Sequence, residues 1–264
     1  FSSLGATESH RRWFLQHMPA DATFTFEVMG QRMAGLSLAG PRSRDVLQEV
    51  TNHDVSADNF RFMDFAQFHV GMAPCGVGRM TYSGDLGYEL WMGPEYQRHV
   101  FDTLMAAGES HGLRLFGVRS LLSMRLEKMF GTWFREYRPI FTPFEARMDR
   151  YVKFDHDFVG RAALESAEPP RRYLSYFEVD ADPDDPADVI GDEPIWLDGA
   201  VVGWVTSGGY AHFSERSLAL GYVEADAVDR LDTGSVEIEI IGRRRPARVL
   251  HEPVLDPNGT RMRS

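Results

Sequence analysis

The sequence is short of cysteine. Cys75 stands alone among 264 residues, which excludes an internal disulfide framework and any zinc cluster built on thiolates. Lysine is nearly missing too: Lys128 and Lys153 are the two lysines, and arginine supplies the other basic residues. Acidic residues outnumber basic ones 39 to 28, so the formal charge is −11 and the basic footprint of a nucleic-acid binder is lacking. No run approaches the ~18 apolar residues of a membrane span, and the N-terminus carries no signal-peptide pattern. The nine histidines form no helical metal pair, and His17, His69, His99 and His111 read as surface or hydrogen-bonded groups. The Gly-x-Ser-x-Gly nucleophile elbow does not occur. Gly76-Val77-Gly78 and Ser207-Gly208-Gly209 lack the continuation that a dinucleotide loop needs, so no Rossmann motif is present. These absences leave a cytoplasmic protein, or a mitochondrial matrix protein if eukaryotic, acting on a small molecule without metal, nucleic acid or membrane.

What is present suffices for one large domain or two ordinary ones, since 43% hydrophobic and 25% charged residues are globular proportions. Phe1 to Leu4 reads as the end of a strand and His10 to Met18 as a helix, so the chain is expected to begin inside a fold. Thr23 to Met29, Met33 to Leu38, part of Phe60 to Val70, and Val77 to Tyr82 after a break at Pro74 read as strands. Helices are expected over Arg42 to Thr51, Pro94 to Gly108 and Gly117 to Met129, where apolar residues fall at helical spacing. Thr142-Pro143-Phe144-Glu145 has the form of a capping box at a helix start, with Tyr151 to Phe154 a short strand beyond it. Asp157 to Leu164 reads as a turn into a further helix. Glu168 to Arg172, with two prolines, reads as a domain boundary, and everything after it as β. Six short strands there (173–179, 194–197, 201–207, 217–223, 236–241 and 246–250) predict a small barrel or sandwich.

The chemistry is concentrated between Thr81 and Trp91. Gly84, Asp85 and Gly87 make a turn, and Glu89 is one carboxylate among aromatic and aliphatic neighbours. Such a carboxylate faces water or meets donors, because burying it alone is costly. In a pocket it would suit a flat heterocycle with adjacent N–H groups, two acceptor oxygens answering two donors. The pattern leaves both the wet hairpin and the pocket open. Arg125, flanked by Met124 and Leu126, either snorkels to the surface or points into a polar cavity. Tyr82, Glu89, Arg125 and Trp133 form a candidate polar and aromatic cluster without naming a reaction.

Tyr82 to Leu90 resembles the Y-T-G-E-x-G-[FYW]-E-[LI] signature of the aminomethyltransferase family, the glycine-cleavage T-protein and its relatives. Leu38-Ala39-Gly40-Pro41 with Val46-Leu47, Leu122 to Lys128, Thr142 to Ala146 with Val152 to Arg161, and Thr206 to Val223 resemble further family segments in the family's order. Gly131 to Ile140 most resembles the C-terminal folate portion of FAD-dependent dimethylglycine and sarcosine dehydrogenases. The resemblance implies an α+β aminomethyltransferase folate-binding fold of antiparallel sheets and helices, N-terminally incomplete, over residues 1–168. A small C-terminal β-barrel over 169–264 would follow it. It implies a tetrahydrofolate-dependent transferase that captures carbon from an N-methylated amine of glycine, sarcosine or dimethylglycine type. FAD would sit on a missing or partner domain, and the partners would be a missing N-terminal folate segment and a flavin domain or subunit. Glu89 matches the glutamate that binds the pterin ring, and Tyr82 and Trp91 match folate contacts on the same hairpin. Arg125 matches the family's helix arginine, and Trp133 completes the implied cofactor-binding set. The family's catalytic aspartate precedes the segment matching Phe1, so no residue here takes that role. Arg147 stands where the family has glycine, Arg150 where an aromatic is frequent, and His156 where lysine is favoured. An S- or O-demethylase and a non-catalytic folate-binding module are the alternatives that the same glutamate allows.

Overall fold

The computed structural model describes residues 6–19, 21, 25–180, 182 and 184–264. They fall into two compact units, Phe1–Gly117 with Asn258–Ser264, and Val118–Pro257. The expected strand end at Phe1 to Leu4, and Thr23 and Phe24 of the next expected strand, lie outside the described residues. Among the described residues no helix is long and apolar enough to cross a membrane.

In the first unit, helix α1 (Thr7–His17) precedes strand β1 (Ala34–Ala39), helix α2 (Ser43–Glu49), strands β2 (Phe65–Val70), β3 (Ala73–Gly78) and β4 (Gly87–Met92), and helix α3 (Gln97–Gly108). The strands form one antiparallel sheet in the order β1-β4-β3-β2. Successive side chains of a strand point to opposite faces, so each strand buries every second residue. Leu38, Cys75, Val77, Tyr88, Leu90 and Met92 share a core with Val46 and Leu47 of α2 and Val100 and Leu104 of α3. The apolar stripes read from the sequence are the ones the two helices bury.

Two expectations about this unit fail. Residues 25–29 form no strand: alternation by itself supplies no ladder partner, and among the described residues none of the four strands of the sheet pairs with them. Pro74 does not break the chain but lies inside β3, opposite His69 of β2. The ladder with β4 begins one residue later, at Cys75, so one side of the strand at Pro74 has no partner to receive an N–H. The first strand of the hairpin therefore ends at Gly78 rather than Tyr82.

The second unit contains helices α4 (Val118–Glu127) and α5 (Arg161–Glu165), strands β5 (Arg172–Val179), β6 (Pro194–Leu197), β7 (Ala200–Ala211) and β8 (Arg216–Glu224), helix α6 (Ala225–Val228), and strands β9 (Val236–Ile240) and β10 (Arg243–Leu250). The six strands close into an antiparallel barrel in the order β10-β5-β8-β7-β6-β9 around Phe177, Ile195, Val205, Ala219 and Ile238. All six expected strands are present, and closure selects the barrel over the sandwich. The helix expected at Thr142 stops after one turn. Its capping box forms, Thr142 N donating to Glu145 Oε2 at 2.9 Å and Glu145 N to Thr142 Oγ1 at 3.1 Å. Arg147 then takes a left-handed conformation, φ +57°, and turns the chain away. Residues 149–151 form a 3-10 turn where a strand was expected to begin, and the exposed Tyr151 meets no ladder. A last short helix, α7 (Thr260–Arg263), belongs to the first unit.

Two buried tyrosines seal the second unit: Tyr176 donates to Leu126 O at 2.8 Å and Tyr222 to Glu136 O at 2.7 Å. Removing the Tyr222 hydroxyl leaves the Glu136 carbonyl without its bond, which costs about 1–3 kcal/mol, whereas Leu126 O keeps its bond from Met129 N at 3.0 Å, so loss of the Tyr176 hydroxyl costs about 0.5–1.5 kcal/mol. Tyr176→Phe and Tyr222→Phe should lower the unfolding free energy by those amounts, read as a lower urea midpoint at an unchanged m-value.

Candidate functional site

Because Tyr88, Leu90 and Met92 are buried in the core, Gly87, Glu89 and Trp91 occupy the other face of β4. The register places Ser37 of β1 and Gly78 of β3 directly beside Glu89, with Phe65 of β2 beyond Gly78. The next row runs Gly35, Trp91, Gly76 and Gln67. Glu89 is partly buried, and among the described residues its carboxylate has no side-chain hydrogen bond or ion pair. Burial holds its carboxyl above the usual glutamate range.

The glycines of these rows are a bed for Trp91. A Cβ at Gly35 would stand 3.4 Å from the Cδ1 of the indole, and one at Gly78 would stand 3.1 Å from its Cζ3. The ring thus lies across the strands, its five-membered side toward β1 and its benzo edge toward β3. Phe65 leans over Gly76 in the same way, 2.9 Å from where a Cβ would be, and its centroid is 6.0 Å from that of Trp91. A cavity of about 550 Å³ adjoins the two rings, lined by Met29, Arg32, Gln67 and Gly76 among others. A carboxylate beside a flat aromatic platform is suited to a planar molecule carrying N–H donors.

The loop from Arg79 to Leu86 joins β3 to β4 and carries the partly buried Tyr82. Gly84 takes φ +85°, a turn that a side chain would disfavour. Leu86 O accepts from Gly40 N at 2.8 Å and Ser43 Oγ at 3.2 Å, and Asp85 pairs with Arg261 at 2.8 Å. The loop is thus tied at its β4 end, and Glu89 follows from a fixed point.

Arg125 and Trp133 belong to the second unit. Arg125 does not snorkel: it is 4% exposed, and its Nη1 donates to Phe130 O at 2.7 Å and lies 3.4 Å from Glu136 Oε2. Its Nε is buried without a partner. Glu136 is fully buried and accepts from Thr132 N at 2.7 Å and Ser207 Oγ at 2.5 Å. Arg125 and Glu136 together shape the turn on which Trp133 stands, partly buried, its ring edge-on to Phe134 at 5.4 Å.

The GCVT N-terminal domain family matches residues 1–156, and the glycine cleavage T-protein C-terminal barrel domain family matches residues 172–256. The chain belongs to the glycine-cleavage T-protein family. Mitochondrial dimethylglycine dehydrogenase of Mus musculus is 36% identical over 225 residues, covering 83% of this chain and 25% of that protein. The chain thus spans about a quarter of that relative's length. An aminomethyltransferase of Koribacter versatilis is 31% identical over 86% of this chain and 59% of its own. The crystal structure of glycine cleavage system aminomethyltransferase T from Bartonella henselae has the same fold, with a TM-score of 0.76 at 21% identity, over 96% of this chain and 67% of that one. The family resemblance and the fold expected from the motifs are borne out.

Two parts of this T-protein family member escaped sequence reasoning. Gly76 and Gly78 were set aside as too short for a nucleotide loop, whereas their alternation within a strand was the sign of a cleared face. Glu136 lies within Gly131 to Ile140, where nothing local marks it as a buried acid. A test of Glu89 follows from its raised pKa. The folded state holds the Glu89 proton more tightly than the unfolded state, so stability falls as pH rises through and above the ordinary glutamate range. Glu89→Gln, which cannot ionise, should raise the melting temperature at pH 7–8, and the gain should vanish below about pH 4, where unfolded glutamate is itself protonated.

Proposed function

We propose that this chain is the tetrahydrofolate-binding portion of a one-carbon transfer protein. The carbon would come from an N-methylated amine of glycine, sarcosine or dimethylglycine type, oxidised by a flavin dehydrogenase portion outside these residues that carries FAD. The observation that carries the reading is Glu89: a partly buried carboxylate with its side-chain acceptors open among the described residues, beside an indole laid flat on glycine.

A pterin fits what is present. Its ring is flat, and its amino group and neighbouring ring N–H offer two parallel donors to one carboxylate. Donors that meet the ionised form offset the desolvation that raises the Glu89 pKa, so ligand binding and ionisation support one another. Trp91 and Phe65 supply aromatic cover, and Tyr82 a further contact from the loop. In the second unit Trp133 is the proposed contact. Within that unit Arg125 holds, with Glu136, the turn that carries Trp133. Tetrahydrofolate, when bound, supplies the nucleophilic nitrogen that accepts the carbon. The role of this chain is to orient that ring and exclude water from its faces, which is catalysis by positioning. No acid or base is assigned among these residues.

Anaerobic titration of the chain with tetrahydrofolate, followed by Trp fluorescence, tests the reading. Glu89→Gln should weaken binding about 10- to 100-fold, the worth of hydrogen bonds to a charged acceptor. Trp91→Ala should weaken it by up to about tenfold, the worth of an aromatic stack. Unchanged affinity in Glu89→Gln would remove the pterin assignment.

A further inference from the structure

Two cations of the first unit converge on one oxygen. Arg44, on α2, donates from Nη2 to the main-chain oxygen of Ser264 at 2.5 Å, and Arg79, just past β3, donates from its Nη2 to the same atom. Arg79 is 1% exposed and Arg44 is partly buried, yet neither forms an ion pair among the described residues. Their remaining bonds go to neutral carbonyls, Arg79 to Phe60 O at 2.6 Å and Arg44 to Val55 O at 3.1 Å. Asp64 acts on Arg79 only at longer range, and its Oδ2 accepts from Arg61 N at 2.6 Å. Burial, and then the charge of Arg44, hold the Arg79 guanidinium below the ordinary arginine range. The Tyr88 hydroxyl is buried beside both arginines without completing a hydrogen bond, and Arg79 Nε is also buried and unpartnered.

Like charges side by side in a buried place, with unused donors around them, need an anion. We propose that Arg44, Arg79 and the Tyr88 hydroxyl form an anion hole whose ligand is a carboxylate. In a polypeptide that stops at residue 264, the α-carboxylate of Ser264 fills it. When that charge is moved away, a small free carboxylate fills it instead. A peptide carbonyl would accept hydrogen bonds but leave both charges uncompensated. A carboxylate compensates one and brings a second oxygen for Tyr88 Oη and Arg79 Nε. The proposal does not depend on the folate reading: the hole is lined from α2, β4 and the residue after β3, with Tyr88 on the core face, opposite Glu89.

The test compares the protein ending at Ser264 with the same protein extended by Gly-Gly-Ser, which the exposed end accommodates while carrying the charge elsewhere. Thermal unfolding is followed with sodium formate, with formamide as the neutral isostere and sodium chloride as the ionic-strength control. The extended protein should melt about 2–4 °C lower. Formate, and neither formamide nor chloride, should restore it saturably, and the protein ending at Ser264 should respond little. Arg44→Gln should erase both the difference between the two proteins and the formate response. Equal melting of the two proteins without a formate response would overturn the proposal. So would equal responses to formate and formamide, or a melting difference that persists in Arg44→Gln.

Discussion

The site in the first unit depends on the register of one strand. Tyr88, Leu90 and Met92 are held in the core by α2 and α3, and the two-residue period of a strand leaves Glu89 and Trp91 no choice of face. A slip by one residue would bury a carboxylate and an indole while exposing three apolar side chains, so packing energy opposes the slip. The core therefore specifies a surface it does not itself use. On that surface the neighbouring strands contribute glycine where bulk would obstruct, and Ser37 and Phe65 at the ends of the Glu89 row.

Acids in the two units differ in how far their carboxylates are partnered. Glu136 is fully enclosed and saturated by Thr132, Ser207 and Arg125, and Glu127 accepts from Phe213 N, Ser214 N and Ser214 Oγ, each at 3.1 Å. Glu136 has both carboxylate oxygens engaged, and Glu127 has three donors on one oxygen. They stabilise loops that the barrel and α4 would otherwise leave to solvent. Glu89 bears the cost of partial desolvation without that compensation among the described residues. Under the proposed function, a bound ligand's donors would relieve that cost.

How much of this was readable varied with the range of the interactions. Barrel strands announce themselves locally, by alternation between turn residues, and all six were legible. Helices α3 and α4 were legible for the same reason, through apolar spacing. The turn at Thr142 has a correct capping box but no continuing helix, because the φ of Arg147 answers to its surroundings, including the Tyr173 ring 4.1 Å away. Pro74 reads as a breaker to any local rule, and only the offset between two ladders makes it acceptable inside β3. For the site, motif resemblance pointed to Glu89, whereas the glycine bed became legible only once three strands were aligned. Gly35 lies 56 positions from Trp91, beyond the reach of local pattern.

The hairpin loop is completed from farther still. The chain leaves the first unit at Gly117 and re-enters it at Asn258, and the returning segment reaches the loop at two points, Arg261 on Asp85 and Ser264 on Arg79. The sequence separations are 176 and 185 residues. Closing so long a loop costs only slightly more entropy than closing a short one, but the contact cannot form before the intervening barrel has been traversed. Both anchors are charge-assisted and so are stronger than the neutral turn bonds within the loop. The segment that presents Glu89 is accordingly held on both sides. Its β4 side is held by the sheet, and its other side by the residues that return last.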